Sequence, residues 1–322
     1  MKFAKSIQAA LSAMALAGVL AHASAGAQSV AVTSIVEHPA LDAIKDGVRE
    51  SLTQAGYTEA KGLKWQFQTA QGNTAIAAQI ARKFVGDKPD VIVAIATPSA
   101  QAVVSATKTI PVVYSAVTDP VAARLVPSME PSGTNVTGVS DSLALQKQVD
   151  LIRKVVPDAK RVGMVYNPGE ANSVVVVKQM RELLPKSGMS LVEATAARTV
   201  DVGAAARSLV GKVDVIYTNT DNNVVSAYEA LVKVGNDARI PLIASDTDSV
   251  KRGAIAALGV NYHDLGIQTG RMVIGILNGQ KPGSMASETS DKLELYVNPG
   301  AAAKQGASLT DEFIKSATRV VE

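Results

Sequence analysis

Polar residues recur at one kind of place in this chain, directly after short β-rich runs and before helical ones. Glu37-His38-Pro39, Thr97-Pro98-Ser99-Ala100 and Thr118-Asp119-Pro120 stand at three such junctions. Asn167-Pro168-Gly169-Glu170-Ala171-Asn172-Ser173, Thr220-Asp221-Asn222 and Ser245-Asp246 stand at later ones. The first backbone N–H groups of a helix lack helical acceptors and hold anions such as carboxylates. The turn at 97–100 is the candidate carboxylate cradle, helped by Ser173 from the other half of the chain. Asp221 or Asp246 would neutralise an ammonium group. A small zwitterion such as an amino acid needs both features. The binding candidates are therefore Glu37, His38, Thr97, Ser99, Ala100, Thr118 and Asp119, facing Asn167, Glu170, Asn172, Ser173, Thr220, Asp221, Asn222 and Asp246. Each could instead be an ordinary helix cap, worth about 1 kcal/mol. Convergence on one edge is what capping alone does not require.

No catalytic set stands out. The histidines are His22, His38 and His263. There is no H-E-x-x-H pattern, Walker P-loop or G-x-S-x-G elbow. An enzyme would have to work with His38 and Glu37, as a hydrolase of unfamiliar type. No metal or cofactor is expected.

The elements that must position these residues alternate between strand and helix. Strands are expected at 30–36, 63–69, 91–96, 111–117 and 136–139, with helices at 40–55 and 75–85 and from Pro98. A second series has strands at 161–166, 190–194, 215–218, 242–244, 254–258 and 293–297. Its helices fall at 144–155, 171–184, 202–210, 224–236 and 264–277. Leu41, Ile44, Val48 and Leu52 give the first helix one apolar face. Such alternation predicts parallel α/β sheets with right-handed crossovers, which bind ligands at strand C-terminal ends.

The two series share a plan. Asp90-Val91-Ile92 is echoed by Asp214-Val215-Ile216, and Ile110-Pro111-Val112 by Ile240-Pro241-Leu242. Each half then reaches a Gly-Val pair, Gly138-Val139 and Gly259-Val260. Two Rossmann-like lobes are expected, one from 28–140 plus 261–292, the other from 141–260 plus 293–322. Three strand-like passages near 139–142, 259–262 and 291–295 would form a restrained hinge.

Of 322 residues, 47% are hydrophobic and 4% aromatic, so the cores must rest on Val, Ile, Leu and Ala. Residues 1–27 read as a cleaved secretory signal. Lys2 and Lys5 precede an apolar run, and Ala23-Ser24-Ala25 and Ala25-Gly26-Ala27 offer cleavage patterns. Without those lysines, 30 basic residues face 29 acidic ones, which is no footprint for nucleic acid. The chain has no Cys, hence no disulfide, thiolate site or lipidated cysteine anchor. A freely soluble periplasmic protein is expected.

At its junctions the chain resembles a family. Ile35-Val36-Glu37-His38-Pro39-Ala40-Leu41-Asp42, Ala96-Thr97-Pro98-Ser99-Ala100-Gln101, Val117-Thr118-Asp119-Pro120-Val121, Gly133-Thr134-Asn135-Val136-Thr137-Gly138-Val139-Ser140-Asp141 and Tyr166-Asn167-Pro168-Gly169-Glu170-Ala171-Asn172-Ser173 are similar to motifs of ABC-importer substrate-binding proteins with tryptophan/tyrosine-type members. The resemblance implies a type I periplasmic-binding fold with three crossings, no enzymatic activity, an ABC permease as partner, a monomer, and an aromatic amino acid as one ligand. A signalling receptor of the same fold and a sugar or purine binder are the rival readings.

Overall fold

The computed structural model describes residues 27–290 and 292–322. The expected signal, apart from Ala27, and Asp291 of the expected third hinge passage lie outside them. The first lobe opens with β1 (Ser29–Ser34), α1 (Pro39–Gln54), β2 (Lys64–Thr69) and α2 (Thr74–Asp87). It continues with β3 (Val91–Ile95), α3 (Thr97–Ala106), β4 (Val112–Ser115) and β5 (Val136–Ser140). The chain then crosses into α4 (Leu145–Val155), β6 (Arg161–Tyr166), α5 (Ala171–Leu183), β7 (Ser190–Thr195) and α6 (Val202–Ser208). Next come β8 (Val215–Thr218), α7 (Asn222–Ser226), α8 (Tyr228–Ala238), β9 (Leu242–Ala244), α9 (Asp248–Lys251) and β10 (Ala256–Val260). It returns to the first lobe as α10 (Tyr262–Leu277) and β11 (Glu288–Thr289), and ends in the second as β12 (Leu293–Val297), α11 (Pro299–Lys304), α12 (Asp311–Lys315) and β13 (Arg319–Val320).

The first sheet has the order β11-β5-β4-β3-β1-β2 and the second β13-β12-β10-β9-β8-β6-β7. Every residue of β3 is buried, as a strand covered on both faces requires. Leu41, Ile44, Val48 and Leu52 of α1 all reach the core. There they join Leu265, Met272 and Val273 of α10, so a helix from the far end of the chain completes the first lobe.

The duplicated glycines have one reason. A Cβ on Gly138 would lie 2.2 Å from the Tyr114 carbonyl oxygen, and one on Gly259 would lie 2.3 Å from that of Ser245. In both lobes the strand entering the crossing passes too close to its neighbour for any side chain.

Two expectations need correction. β12 runs antiparallel to β10, not parallel. The parallel strands run toward the crossings, whereas β12 begins at one and must run away from it. The helix expected at 224–236 is two helices, broken at Ala227. Arg252 secures the break by donating to the Val225 and Ser226 carbonyls at 2.6 and 3.5 Å. His263 stands in the first turn of α10, 3.1 Å from Glu50.

Strands β3 and β4 stop one and two residues short of their expected ends. Ala96 and Ala116 have φ values of 70° and 52°, a left-handed conformation costly for a residue with a Cβ. Both lie where the strands meet the cleft, a setting in which backbone strain accompanies function.

Candidate functional site

The turn at Ala96 starts α3 without a side-chain cap. The Ala100 N–H is spent on the Ala96 carbonyl at 3.0 Å. The N–H groups of Thr97 and Ser99 begin the helix without helical acceptors, and Pro98 between them has none to offer. The hydroxyls of Thr97 and Ser99 are buried without a partner. Free N–H groups at a helix start are able to hold an anion, and of these residues Thr97 lines the chamber described below whereas Ser99 and Ala100 do not.

His38 caps α1, its Nδ1 accepting from the Leu41 N–H at 3.5 Å. Burial, and then the charge of Arg252, push its pKa down to about 3. The ring is neutral and carries its proton on Nε2, so it presents a donor to the cleft rather than a base. Glu37 is exposed beside it and lines no part of the cleft.

In the second lobe the expected candidates form a buried network. Asp221 caps α7 and accepts from the Asn167 N–H at 2.6 Å, the Ser173 hydroxyl at 2.6 Å and the Val224 N–H at 3.0 Å. Glu170 accepts from the side chains of Asn172 and Asn222 at 3.1 and 2.5 Å, and from the Asn222 N–H at 3.1 Å. Burial, and then the charge of Asp221, raise the pKa of Glu170 to about 7. These carboxylates order the loops behind the cleft. Neither they nor Asn167 or Ser173 line the chamber between the lobes.

That chamber, with a cavity volume of about 20 Å³, draws Leu41, Thr97 and Ala116 from the first lobe and Asn172, Val225 and Asp246 from the second. His38, Thr220 and Asn222 also line it. The Asn172 amide is held by donation to the Thr220 carbonyl at 2.8 Å, and its Oδ1 has no donor. Asp246 accepts from the N–H and hydroxyl of Ser249 at 2.8 and 2.7 Å, and burial raises its pKa. Of the two aspartates considered as ammonium partner, Asp246 lines the chamber and Asp221 does not.

Two polar lining residues were not among the candidates, Asp141 and Tyr262. Their signal was available: each stands three residues past one of the duplicated glycines, Gly138 and Gly259. Asp141 accepts from the Tyr262 hydroxyl at 2.9 Å and the Thr118 hydroxyl at 3.2 Å, and burial raises its pKa. Thr118 also meets Thr220 across the cleft, oxygen to oxygen at 3.2 Å. Asp119 turns away, its Oδ1 capping the Val121 and Ala122 N–H groups.

Among the described residues, no group of three or more His, Asp or Glu is placed to hold a metal ion, and no helix is long and apolar enough to cross a membrane.

The family model described as ABC transporter substrate binding protein matches residues 29–321. A tyrosine-binding protein of Clostridioides difficile (strain R20291) is 41% identical over 84% of this chain and 79% of its own. A Streptococcus pneumonia ABC domain crystallised in complex with L-Trp is 31% identical, with a TM-score of 0.88 over 91% of this chain and 99% of that one. A Clostridium difficile substrate binding protein in a ligand-free, open structure is 39% identical. It superposes less well, at 0.69, over 92% of this chain and 99% of that one. Higher identity with poorer superposition is what lobes of one fold held at another angle produce. With its lobes in contact, this structure lies nearer the complex. The two sheets, their crossings and these neighbours make the fold type I periplasmic-binding, and the chain belongs to the ABC transporter substrate binding protein family.

Proposed function

We propose that this protein is the periplasmic receptor of an ABC importer and captures an aromatic amino acid without altering it. The observation that carries the reading is one chamber between the lobes holding both halves of zwitterion chemistry. The uncapped start of α3 takes the carboxylate, and Asp246, with Asp141 nearby, takes the ammonium. The ring extends into the adjoining chamber of about 300 Å³, which shares Asp141 and Thr220 and has apolar walls of Met129, Leu143, Val175 and Val176. The tyrosine-binding relative and the L-Trp complex support the same ligand class. A neutral His38 and a remote Glu37 argue against the hydrolase alternative.

Because contacts come from both lobes, the ligand stabilises the closed form by its differential affinity for it. The permease then receives a closed, loaded protein. Residues 1–27 would direct export to the periplasm. A thermal-shift screen of amino acids, sugars and purines tests the reading. A ligand at 100 times its Kd should add about 2.7 kcal/mol of stability. Tryptophan or tyrosine should raise the melting temperature, and a response confined to sugars or purines would sink the proposal.

A further inference from the structure

The chamber of about 300 Å³ that receives the ligand ring is lined by a buried amide, Asn219, whose Oδ1 meets no protein donor. We propose that Asn219 determines specificity: its Oδ1 accepts a hydrogen bond from the ligand ring, so the protein selects aromatic amino acids with a ring O–H or N–H against phenylalanine. This rests on the functional reading above, which supplies the amino acid and places its ring.

The amide is oriented from behind. Asn219 directly follows β8 and is 2% exposed. The Ser173 hydroxyl gives its proton to Asp221 at 2.6 Å, so it offers only lone pairs to Asn219. Nδ2 of Asn219 donates to that hydroxyl at 3.1 Å. A flipped amide would set Oδ1 against an oxygen with no proton left to give. Asp221 is held in turn by the Asn167 and Val224 N–H groups. The acceptor is therefore fixed before any ligand arrives. Buried polar atoms are almost always paired, so an oriented acceptor without a donor, in a cavity with room for a ring, marks the place of a ligand donor. Ser245, which also lines the chamber, carries a hydroxyl that can donate or accept and sets no such demand.

The surroundings narrow what can carry that donor. Among the described residues no Lys, Arg or His lines the chamber, whereas Asp119 and Asp141 do. Both aspartates already hold protein donors, the Val121 and Ala122 N–H groups for one and the Tyr262 and Thr118 hydroxyls for the other. An acidic ligand side chain would lose its hydration beside two carboxylates. Met129, Leu143, Val175 and Val176 accept the faces of an uncharged ring. Phenylalanine fits those walls but leaves Oδ1 without a donor once the lobes close. A site built to hydrogen-bond a ligand group rejects the analogue that lacks it, because its own buried group is left unpaired.

Calorimetric titration with L-tyrosine, L-tryptophan and L-phenylalanine should show phenylalanine weaker than the tighter of the other two by roughly tenfold or more. Two isosteres isolate the donor. In para-fluoro-L-phenylalanine fluorine replaces the tyrosine hydroxyl, and in benzothienyl-L-alanine sulfur replaces the indole N–H. Each parent that binds should lose a similar factor in its isostere. Asn219→Leu, of similar volume and without the acceptor, should bring parent and isostere within about threefold of each other. Parent and isostere binding equally well to the wild type would overturn the proposal and leave the functional reading standing. So would a preference that survives undiminished in Asn219→Leu. The wild-type comparison decides the matter if that variant does not fold. If none of the three amino acids binds, the functional reading falls and this inference with it.

Discussion

Asp141 and Tyr262 occupy the same position in the two halves of a duplicated plan, three residues past Gly138 and Gly259, and they hydrogen-bond to each other at 2.9 Å. The repeat thus meets itself at the hinge. The two strands that leave their sheets for the crossings are tied together where the ligand would lie. Tyr262→Phe removes one of the two side-chain donors to a fully buried carboxylate, a loss of roughly 1.5–3 kcal/mol for a hydrogen bond to a charged group. Chemical denaturation should show that loss, and calorimetry should show weaker amino-acid binding. An unchanged denaturation midpoint and affinity would mean that the pair is incidental.

Asp246 and Asp221 separate by role. Asp246→Asn should leave the fold intact and abolish measurable binding, because the ligand ammonium loses its counter-charge while buried. Asp221→Asn should act on the fold. Three donors converge on that carboxylate, and an amide must turn an N–H toward one of them. The melting temperature should fall, with affinity changing less than in Asp246→Asn. The reverse pattern would relocate the ammonium.

Thr97 offers the cleanest division between folding and binding. Its hydroxyl is buried without a protein partner, so the fold gains nothing from it. Thr97→Val should be neutral or stabilising in the ligand-free protein, since it removes an unsatisfied polar atom of similar shape. The same substitution should weaken the ligand by about 1 kcal/mol, roughly fivefold. Equal losses in both measurements would place Thr97 outside the cradle.

Thr118 and Thr220 make a hydrogen bond across the cleft. Thr118→Val should shift the ligand-free ensemble toward open lobes, read as a larger radius of gyration in solution scattering. The saturated protein should retain the compact radius at an affinity lower by roughly two- to tenfold.

The fold was legible because its signals are local and repeated. Apolar runs of four to six residues mark the strands, and Leu41, Ile44, Val48 and Leu52 mark the buried face of α1. The antiparallel β12 was not legible, since direction follows from where the chain re-enters a lobe, and strand composition does not encode it. The break at Ala227 depends on Arg252, 25 positions away in the chain and adjacent only after folding. At the site, sequence located the polar junctions but could not sort them. Asp221 and Asp246 follow neighbouring strands in similar contexts, yet one caps a helix behind the cleft and the other lines it. Asp141 and Tyr262 could have been found by carrying the repeat three residues beyond its glycines.

His38 gives the protein a definite response to acid. Its folded pKa of about 3 lies below the 6.5 of an unfolded histidine. Between these values the unfolded chain binds a proton that the folded one refuses, so stability from this group is present above pH 6.5 and is lost as pH falls. The loss should reach about 2 kcal/mol at pH 5. Asp141 and Asp246, whose pKa values are raised by burial, act in the opposite sense, favouring the folded state as they protonate. The wild-type profile alone therefore mixes both effects. His38→Asn isolates the histidine, because asparagine also caps a helix. The stability difference between wild type and variant, measured by urea denaturation from pH 7.5 to pH 4.5, should move in the variant's favour as pH falls through 6.5. A difference independent of pH would show that the imidazole takes up its proton without cost, and the neutral donor assigned to the cleft would be lost with it.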